Sequence, residues 1–579
     1  MNEYASDRLL RRKIALYLLP MLGIMATFPI GQIVDSLFIA SIRGSEAMAA
    51  INLAYPFQLL AVSVFYFFGS GGTAEYAAAL SAGDEARAVL AFRTTLLLVS
   101  ALGVLLLGIG LVFNHPLTLL LCRDETLRED FQSCFSLLIY SAPVIILFLT
   151  LTELLVPAGR PGYAFGAVML VQLLRTGLDY LFIHCFNLGI IGAAAAQLVA
   201  YLAGIFISGI GVLVFHPHLR GTRSPHFFQD LKEETLRIFR RINPEGFTQL
   251  GMAAKLLYTF SLGHAFLGTD AVVAIALGTL IASVFSVVQG ALISTAMPLI
   301  AVFFERRNFH TVDRILKGTL VLQFVCSLIL FLVFVLFTRP IIHLFRIYDE
   351  SQVTLAVTVL RIYMLSYLFR GGYRLFRSYL QFLNIRKYSW LLTAVALSMT
   401  GVYLLCSMFG GDGLWWANVI SSLGLLVFTV MGNRMIYEKS RDQWLNWFLI
   451  PRDQGLIRSV NVSVQNTSDS FGPFVRELNG ICLDNGLSRR DAGMTAFAVE
   501  EMLISLREHC REKGYTDISA RLYEDRVEID FCSLGSARQM EEVQHLQKIS
   551  SGLSHQYIAG MSFTRITLPR RLFPKQDSQ

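Results

Sequence analysis

The sequence predicts an all-α polytopic membrane protein with twelve transmembrane helices in two pseudo-symmetric six-helix bundles, plus a C-terminal soluble α/β sandwich domain. The 579 residues are 54% hydrophobic and 16% charged, against about 25% charged residues in soluble domains. From residue 14 to 436, apolar runs long enough to cross a hydrocarbon core of about 30 Å alternate with short polar turns. After residue 437 the composition becomes that of an ordinary soluble domain.

An internal repeat predicts the two halves. The segment Gly44–Ile51 returns 224 positions later (268 − 44) as Gly268–Ile275. Two proline pairs keep this offset, Pro20 with Pro244 and Pro116 with Pro340. Three features that hold one offset over about a hundred residues indicate the duplication of one structural unit. Asp35 falls opposite Thr259, so the halves share a scaffold but not this acid.

Six spans are predicted in each half. The first half holds 14–41, 48–79, 88–113, 131–156, 161–186 and 189–215, and the second holds 240–266, 270–304, 311–337, 352–381, 388–409 and 412–436. Lys and Arg concentrate at the N-terminus, in the central loop and after the last span, which places all three in the cytoplasm. The net charge of +7 is then a topology signal, and no nucleic-acid partner is expected.

These patterns divide the chain into six parts of a multi-pass protein of the plasma (inner) membrane. They are a cytoplasmic N-terminus (1–13), a first bundle (14–215), a cytoplasmic linker (216–239), a second bundle (240–436), an amphipathic connector (437–455) and a cytoplasmic domain (456–573). In the last part the pattern is strand, helix, helix, strand, strand, helix, strand. It includes a helix over Thr495–Lys513 and a hairpin over Ile518–Phe531.

A series of short motifs runs through residues 10–436 in a specific order. They are VDSLFIA, GSEAMAAINLAYPF, GSGGTAEYAAALSAGD, LDYLFI, LGIIGAAAAQ, NPEGFTQL, QGALISTAMPLI and SYLQFLNIRKYS. In these motifs the chain resembles the multidrug and toxic compound extrusion (MATE) family. The resemblance implies a V-shaped pair of bundles whose central cavity alternates between the membrane faces. It also implies export of small organic substrates, driven by Na⁺ or H⁺ and needing no cofactor.

The resemblance further implies a cation-coupling site in the first half. The acid of span one is Asp35, and the family pattern Asn-x-x-Leu-Asp of span five reads Arg175-Thr-Gly-Leu-Asp179 here. The span-six pattern ends at Gln197. Two carboxylates are therefore kept, and an arginine stands where the family has an asparagine.

The residues themselves point to the same place. Charges inside a membrane cost about 2.5–3.5 kcal/mol each on insertion scales, so they are functional candidates. Arg175 and Asp179 lie four residues apart on one helical face. Two interpretations remain open: a structural ion pair, or a coupling site where Asp35 or Asp179 binds an ion in one access state and releases it in the other. A nearby guanidinium repels Na⁺, which favours H⁺.

The second half carries bases within its spans instead. Lys255 lies in span seven, near the position where some members of the family carry an acid. Three arginines share one face of span ten: Arg370, Arg374 and Arg377. With Asn52, these residues are candidates for lining the substrate cavity. Either the bases pair across the lobes or reach the interface, or they favour a substrate with anionic character.

The tail contains a helix, Ala498–His509, that resembles the first ATP-contacting helix of histidine kinases and anti-sigma-factor kinases. The positions of the base, the Mg²⁺ ligand and the following His are Glu501, Ser505 and His509. Asp530 follows the pattern of the adenine floor, but the expected glycines are missing and the lid is reduced to Ser550–Leu553. The resemblance thus implies a retained fold with an eroded nucleotide site, and a regulatory or partner-docking module is favoured over ATP binding.

The favoured function is a secondary active exporter of organic compounds with a cytoplasmic regulatory domain. A flippase of lipid-linked substrates and a membrane-tethered signalling protein are the alternatives. Neither a nucleophile–base pair nor a set of metal ligands with credible spacing is present in the sequence, and the eight cysteines lack CxxC spacing. An enzyme and a metal site are therefore not expected.

Overall fold

The structure is a computed structural model that describes most of the chain. The described residues are 8–81, 84–122, 125–157, 161–215, 227–243, 245–383, 385, 408–453, 455–465, 468–484, 487–509, 515–523, 525–533, 550–558 and 561–569. They divide between two compact units. One unit comprises Leu22–Ile293 and Thr319–Gly432, and the other comprises Met1–Met21, Ser294–Gly318 and Asn433–Gln579.

Helices account for nearly all of the described chain up to Lys439. The helices of the first half and the linker are α1 (Arg8–Arg43), α2 (Ser45–Leu53), α3 (Tyr55–Val64), α4 (Gly71–Ser81), α5 (Glu85–Val112), α6 (Asn114–Leu121), α7 (Glu125–Leu154), α8 (Pro161–Asp179), α9 (Gly189–Phe215) and α10 (Phe227–Arg240). Those of the second half are α11 (Glu245–Leu267), α12 (Thr269–Glu305), α13 (Phe309–Leu336), α14 (Thr338–Leu344), α15 (Glu350–Leu365), α16 (Tyr367–Phe382) and α17 (Gly410–Lys439).

Nine helical segments of the described chain are long and apolar enough to cross a membrane. They are Ser45–Leu80, Glu85–Val112, Phe131–Leu154, Gly162–Cys185, Gly189–Val214, Thr269–Phe304, Phe309–Leu336, Glu350–Phe382 and Gly410–Lys439. The predicted spans 14–41 and 240–266 correspond to α1 and α11, which are not among the nine. The predicted span 388–409 lies outside the described residues except for its last two. The chain is thus a mostly helical polytopic membrane protein.

The helix bounds repeat with the offset seen in the sequence. Helix α5 covers Glu85–Val112 and α13 covers Phe309–Leu336, which are the same positions 224 residues apart (309 − 85). Gly44 and Gly268 both precede the first residue of a helix, with φ of 88° and 70°. Because a side chain is strained at such φ values, glycine is needed at both turns. In these segments the two halves therefore share their backbone plan down to single residues.

The tail contains a five-stranded antiparallel sheet and two helices. The strands are β3 (Leu456–Gln465), β4 (Tyr515–Tyr523), β5 (Arg526–Ser533), β6 (Gly552–Ile558) and β7 (Met561–Pro569), in the order β3-β4-β5-β7-β6. Helices α18 (Ser468–Asp484) and α19 (Arg489–His509) share an apolar core with one face of the sheet. Ile518, Ala520 and Ile529 are buried in that core. The alternate residues of β4 and β5 lie on the opposite face.

Three predictions for the tail have different outcomes in this fold. The predicted hairpin Ile518–Phe531 is confirmed, since β4 and β5 pair antiparallel. Of the presumed lid Ser550–Leu553, Gly552 and Leu553 belong to strand β6, which pairs with β7 and was not predicted. The expected helix before the last strand would fall on 534–549, outside the described residues.

The connector predicted at 437–455 is also different from its expectation. Helix α17 continues to Lys439, and a two-stranded hairpin follows, with β1 (Trp444–Asn446) paired to β2 (Ile450–Pro451). Leu449 makes the turn with a φ of 58° and is fully buried. Phe448, Leu449 and Ile450 are buried whereas Leu445 is exposed, so the connector folds as a hairpin with one part of its apolar residues buried.

Candidate functional site

Helices α1 and α8 bring three predicted coupling residues together. Asp35 lies on α1, whereas Arg175 and Asp179 lie on α8. Nη2 of Arg175 donates to Oδ2 of Asp35, and Nε of Arg175 lies 4.0 Å from Oδ2 of Asp179. Asp35 is 4% exposed and Asp179 is fully buried. We call these three residues the acid–arginine cluster.

A glycine lets α8 approach α1 one turn before Asp35. A Cβ at Gly31 would overlap the side-chain amide of Gln172, which lies one turn before Arg175. Just after the cluster, the chain changes from α8 to a π-helical turn over Tyr180–Cys185. Such turns are rare and frequently mark functional sites. Asp179 is the last residue before this change in helix geometry.

The cluster contains two carboxyl groups but only one guanidinium. Oδ1 of Asp35 and both carboxyl oxygens of Asp179 have no hydrogen-bond partner within the part of the chain that the structure describes. Tyr201 of α9 is 5% exposed, and its hydroxyl interacts with Arg175. Two carboxyl groups and one guanidinium are neutral as a set only when one carboxyl group holds a proton or another cation. Since an unpaired buried charge costs several kcal/mol, this geometry favours such a bound cation.

Gln197 and Asn52 do not join the cluster. The amide of Gln197 on α9 accepts from Gln58 at 3.4 Å and donates to Ser141 at 3.5 Å, so it links α9 to α3 and α7. Asn52 donates to the carbonyl of Met48 at 2.8 Å, a contact within its own helix. Both side chains are buried. The described hydrogen bonds of Gln197 are thus made with Gln58 and Ser141 and not with the acids, and its role in cation coupling stays a prediction.

Lys255 of α11 lies in a polar and aromatic setting. Its Nζ donates to Oδ1 of Asn418 at 2.5 Å and lies 5.5 Å from the ring centre of Tyr363. Asn418 in turn donates to the hydroxyl of Ser366 at 2.7 Å. Asn418 is 1% exposed. This chain of contacts ties Lys255 to α17 and to the junction between α15 and α16.

The three arginines of α16 have three different kinds of partner. Arg377 forms a salt bridge with Glu245 of α11, with 3.0 Å between Nη2 and Oε2. Arg370 stacks on Tyr367 at 5.4 Å and donates to its hydroxyl at 3.3 Å. Arg374 donates at 3.4 Å to the backbone carbonyl of Ser286 on α12. No carboxylate lies within 4.0 Å of Arg374 among the residues with described side chains. All of these described partners belong to the second half, so none of these contacts is a cross-lobe pair.

Another buried acid of the first half, Glu75 of α4, belongs to a different set of charges. Its carboxylate lies 2.9 Å from Nη2 of Arg87 on α5 and 2.5 Å from Nε of Arg241, which follows α10. Glu234 of α10 accepts from Arg237 at 3.2 Å and lies 3.9 Å from Nε of Arg87. Burial raises the pKa of Glu234, and the charge of Arg237 opposes this shift. The linker helix is thus attached at the turn between α4 and α5.

The tail residue predicted as an adenine floor has a different environment. Asp530 of β5 lies opposite Arg565 of β7 and receives hydrogen bonds from Arg565 and Arg521. Both arginines also donate to the backbone carbonyl of Arg306, in the turn between α12 and α13. Nη1 of Arg306 lies 3.6 Å from Oδ1 of Asp530. Burial lowers the pKa of the Arg306 guanidinium, and the charge of Asp530 opposes this shift.

Asp530 therefore joins the sheet to the α12–α13 turn, and its carboxylate is saturated by arginines. An adenine amino group would find this acceptor already used. The other predicted nucleotide residues, Glu501 and Ser505, lie half-buried on α19, and nothing is described for the side chain of His509. The predicted set is thus not brought together around Asp530.

The β1–β2 hairpin contacts the same end of α13. Asn446 donates to Asp313 at 2.8 Å, and Nζ of Lys317 lies 5.6 Å from the ring centre of Phe448. Asp453, after the hairpin, accepts from the hydroxyl of Tyr523 at 2.5 Å. The hairpin and the polar sheet face together cover the α12–α13 turn, and we call this contact the tail–turn interface.

Comparison with known proteins gives one family. The sequence model of the MatE family matches residues 20–181 and 247–405, one segment in each half. The FAD transporter of Shewanella oneidensis is 25% identical over 332 residues, which cover 56% of this chain and 72% of that protein. The multidrug export protein MepA of Staphylococcus saprophyticus is 22% identical over 422 residues, which cover 70% of this chain and 91% of that protein.

Solved structures give the same fold. A multidrug resistance MATE family transporter of the MOP superfamily, in its inward-facing conformation, matches with a TM-score of 0.60 at 18% identity, over 73% of this chain and 99% of that chain. A MOP superfamily transporter from Pyrococcus furiosus, whose binding pocket of reverse polarity suggests a different function, matches with a TM-score of 0.57 at 18% identity. That match covers 74% of this chain and 96% of the other.

Proposed function

This chain belongs to the multidrug and toxic compound extrusion family of transporters, and we propose on that premise that it is a proton-driven exporter of small organic compounds. The family membership makes it a transporter rather than an enzyme. The names of its relatives, an FAD transporter and a multidrug export protein, support small organic substrates. Relatives of this fold solved in inward-facing and outward-facing conformations support alternating access.

The charge balance of the acid–arginine cluster is the observation that carries proton coupling. Asp35 and Asp179 lie against one guanidinium, so one cation completes the set. A proton needs a single lone pair, whereas a metal cation needs several oxygen ligands. No group of three or more His, Cys, Asp or Glu residues suited to a metal ion occurs within the described ranges. Arg175 would also repel Na⁺.

In the proposed cycle Arg175 remains charged and the two acids share one proton. The proton occupies one carboxyl group in the first access state, where Arg175 balances the other. Release of that proton in the second state leaves two carboxylates on one guanidinium. Burial disfavours that state, so substrate release and proton uptake return the cluster to its neutral form.

The finer architecture forms part of the same proposal. We place twelve helices across the membrane in two bundles of six, with both termini and the linker in the cytoplasm and the tail as an α/β sandwich. The matching bounds of α5 and α13 support two equivalent halves. The basic residues around α10 support the cytoplasmic linker, by the positive-inside rule.

The tail serves as a regulatory module in this proposal. The saturated carboxylate of Asp530 supports docking on the α12–α13 turn over nucleotide binding. A partner or ligand that binds the tail can then act on the second half through this turn. The same contact gives no support to a signalling protein that depends on ATP.

Transport by purified protein in proteoliposomes tests proton coupling. With an imposed pH gradient, wild type should export an organic dye, and an equal Na⁺ gradient should give no export. Asp35→Asn and Asp179→Asn should each abolish pH-driven export, because the remaining acid is balanced by Arg175 and binds no proton. Glu350→Gln, which changes an exposed acid of α15, should export as wild type does. Undiminished export by Asp35→Asn under the pH gradient would show that the acid is structural.

A further inference from the structure

Positive charge accumulates in the second half around two tyrosine rings. Nζ of Lys255 lies 5.5 Å from the ring centre of Tyr363, and the guanidinium of Arg370 lies 5.4 Å from that of Tyr367. Arg374 follows Arg370 by one helical turn on α16. We call these five residues the cation–tyrosine cluster. Its two rings are 5% and 2% exposed, so they are held in place by packing.

The nearby carboxylate on α11 is already engaged. Glu245 forms a salt bridge of 3.0 Å with Arg377. Arg377 lies one turn after Arg374 on α16. The described hydrogen bond of Arg374 ends on a neutral carbonyl, that of Ser286. That of Lys255 ends on the neutral amide of Asn418. The described partner of Arg374 is therefore a neutral group, which leaves the charge of this guanidinium available to a ligand.

Arg374 faces the interior between helices of both halves. Its guanidinium and the sulfur of Met25 on α1 both approach Gly290 of α12, within 3.7 and 3.6 Å of the point a Cβ would take. Met25 is 37% exposed, so this region is open rather than closely packed. A substrate moving between α1, α12 and α16 would meet the guanidinium directly.

We propose that the cation–tyrosine cluster binds organic anions. The carboxylate, sulfonate or phosphate group accepts charge-assisted hydrogen bonds from Arg374, Arg370 and Lys255. This assignment rests on the proposed export function and names its substrate class.

The neutral partners fix the cationic groups before a substrate arrives. Asn418 holds Lys255 and is itself held by Ser366, at 2.7 Å. Preorganised donors lose less conformational entropy on binding, which raises affinity. A cationic substrate gains nothing from this arrangement and is repelled by it.

Binding of 5-carboxyfluorescein, an aromatic anion, to the purified full-length protein tests the site by fluorescence anisotropy. Wild type should bind it saturably, and Arg374→Gln, which keeps a donor for Ser286 but loses the charge, should bind about tenfold more weakly or worse. Arg374→Lys should recover most of the affinity. Arg361→Gln, which removes an exposed arginine of α15, should not change it. Elution profile and melting temperature establish that each variant is folded.

Export of carboxyfluorescein and of the aromatic cation ethidium by the same proteoliposomes separates the two proposals. Arg374→Glu should lose export of the anion and gain export of the cation, whereas Asp35→Asn should lose export of the anion without gaining export of the cation. No saturable binding of carboxyfluorescein by wild type, or equal affinity in Arg374→Gln, would overturn the anion site. Export of ethidium alone under the pH gradient would overturn it too and leave proton coupling intact.

Discussion

The two halves of this transporter use the same helical scaffold with opposite charge. On α1 the first half has Gly31 and Asp35, and 224 positions later (255 − 31) α11 has Lys255 and Thr259. Glycine and acid on one helical turn are thus replaced by base and neutral hydroxyl. The Thr259 hydroxyl donates to the backbone carbonyl of Lys255 at 2.8 Å. Unlike the Asp35 carboxylate, it carries no charge.

This difference shows how the two halves of a duplicated scaffold can bind ions of opposite charge. The first half keeps two acids around one guanidinium, a set that is completed by one small cation. The second half keeps three cations around two rings, a set that is completed by a larger anion. Helix packing is common to both halves, whereas the sign of the buried charge is set by a few side chains.

The largest expected effect comes from removing the cation of the first half. Arg175→Gln leaves two buried carboxyl groups without their counter-charge and should lower the free energy of unfolding by about 3–5 kcal/mol. The melting temperature of the purified protein, followed by tryptophan fluorescence, measures the loss. Removing one of the two acids with Asp35→Asn in the same chain should recover part of it, because a single carboxyl group then remains. A melting temperature unchanged by Arg175→Gln would show that the guanidinium does not balance the acids.

A smaller effect is expected where α1 and α8 touch. Gly31→Ala places a methyl group on Gln172 and should cost about 1–3 kcal/mol, because an overpacked contact has to shift. Gly177→Ala on α8 is the matched control, since a Cβ there meets nothing within 4 Å. Adding Gln172→Ala to Gly31→Ala should restore the melting temperature. If Gly177→Ala and Gly31→Ala have the same melting temperature, the close approach of α1 and α8 does not require glycine at position 31.

The smallest of these effects tests the charge swap itself. Thr259→Asp places the acid of the first half at its equivalent position in the second, one turn from Lys255. Affinity for carboxyfluorescein should then fall by about threefold to tenfold, as an opposite charge offsets part of the cluster. Thr259→Asn, which adds similar volume without charge, should leave the affinity close to that of wild type. Equal losses in both variants would indicate a steric effect instead.

The sequence allowed the halves and the acid–arginine cluster to be predicted because charges stand out in apolar spans. It gave no signal for Tyr201, Gln172 or Asn418, whose neutral polar side chains are common in such spans. Gln197 was placed beside the acids by resemblance alone, which gives a position along the chain but not a partner. Its hydrogen bonds with Gln58 and Ser141 depend on how α3, α7 and α9 pack.

The tail was predicted less completely for a similar reason. Alternation in β4 and β5 correctly gave a hairpin, and the same alternation places Arg521, Glu528 and Asp530 on one face. Three charges on a sheet face that is not exposed indicate a covering partner, which was not inferred. That partner is the α12–α13 turn, far away in the sequence. The helix expected at 534–549 stays a prediction.

The tail–turn interface also has a counterpart in the first half. There α10 follows the first bundle and is fastened by Glu75, Arg87 and Arg241 at the turn between α4 and α5. In the second half the domain that follows α17 is fastened by Arg306 and Asp530 at the turn between α12 and α13, the equivalent place. The C-terminal domain thus contacts the second half at the place where the single helix α10 contacts the first half. A chain shortened after Lys439 would lose this contact in the second half and keep the equivalent one in the first.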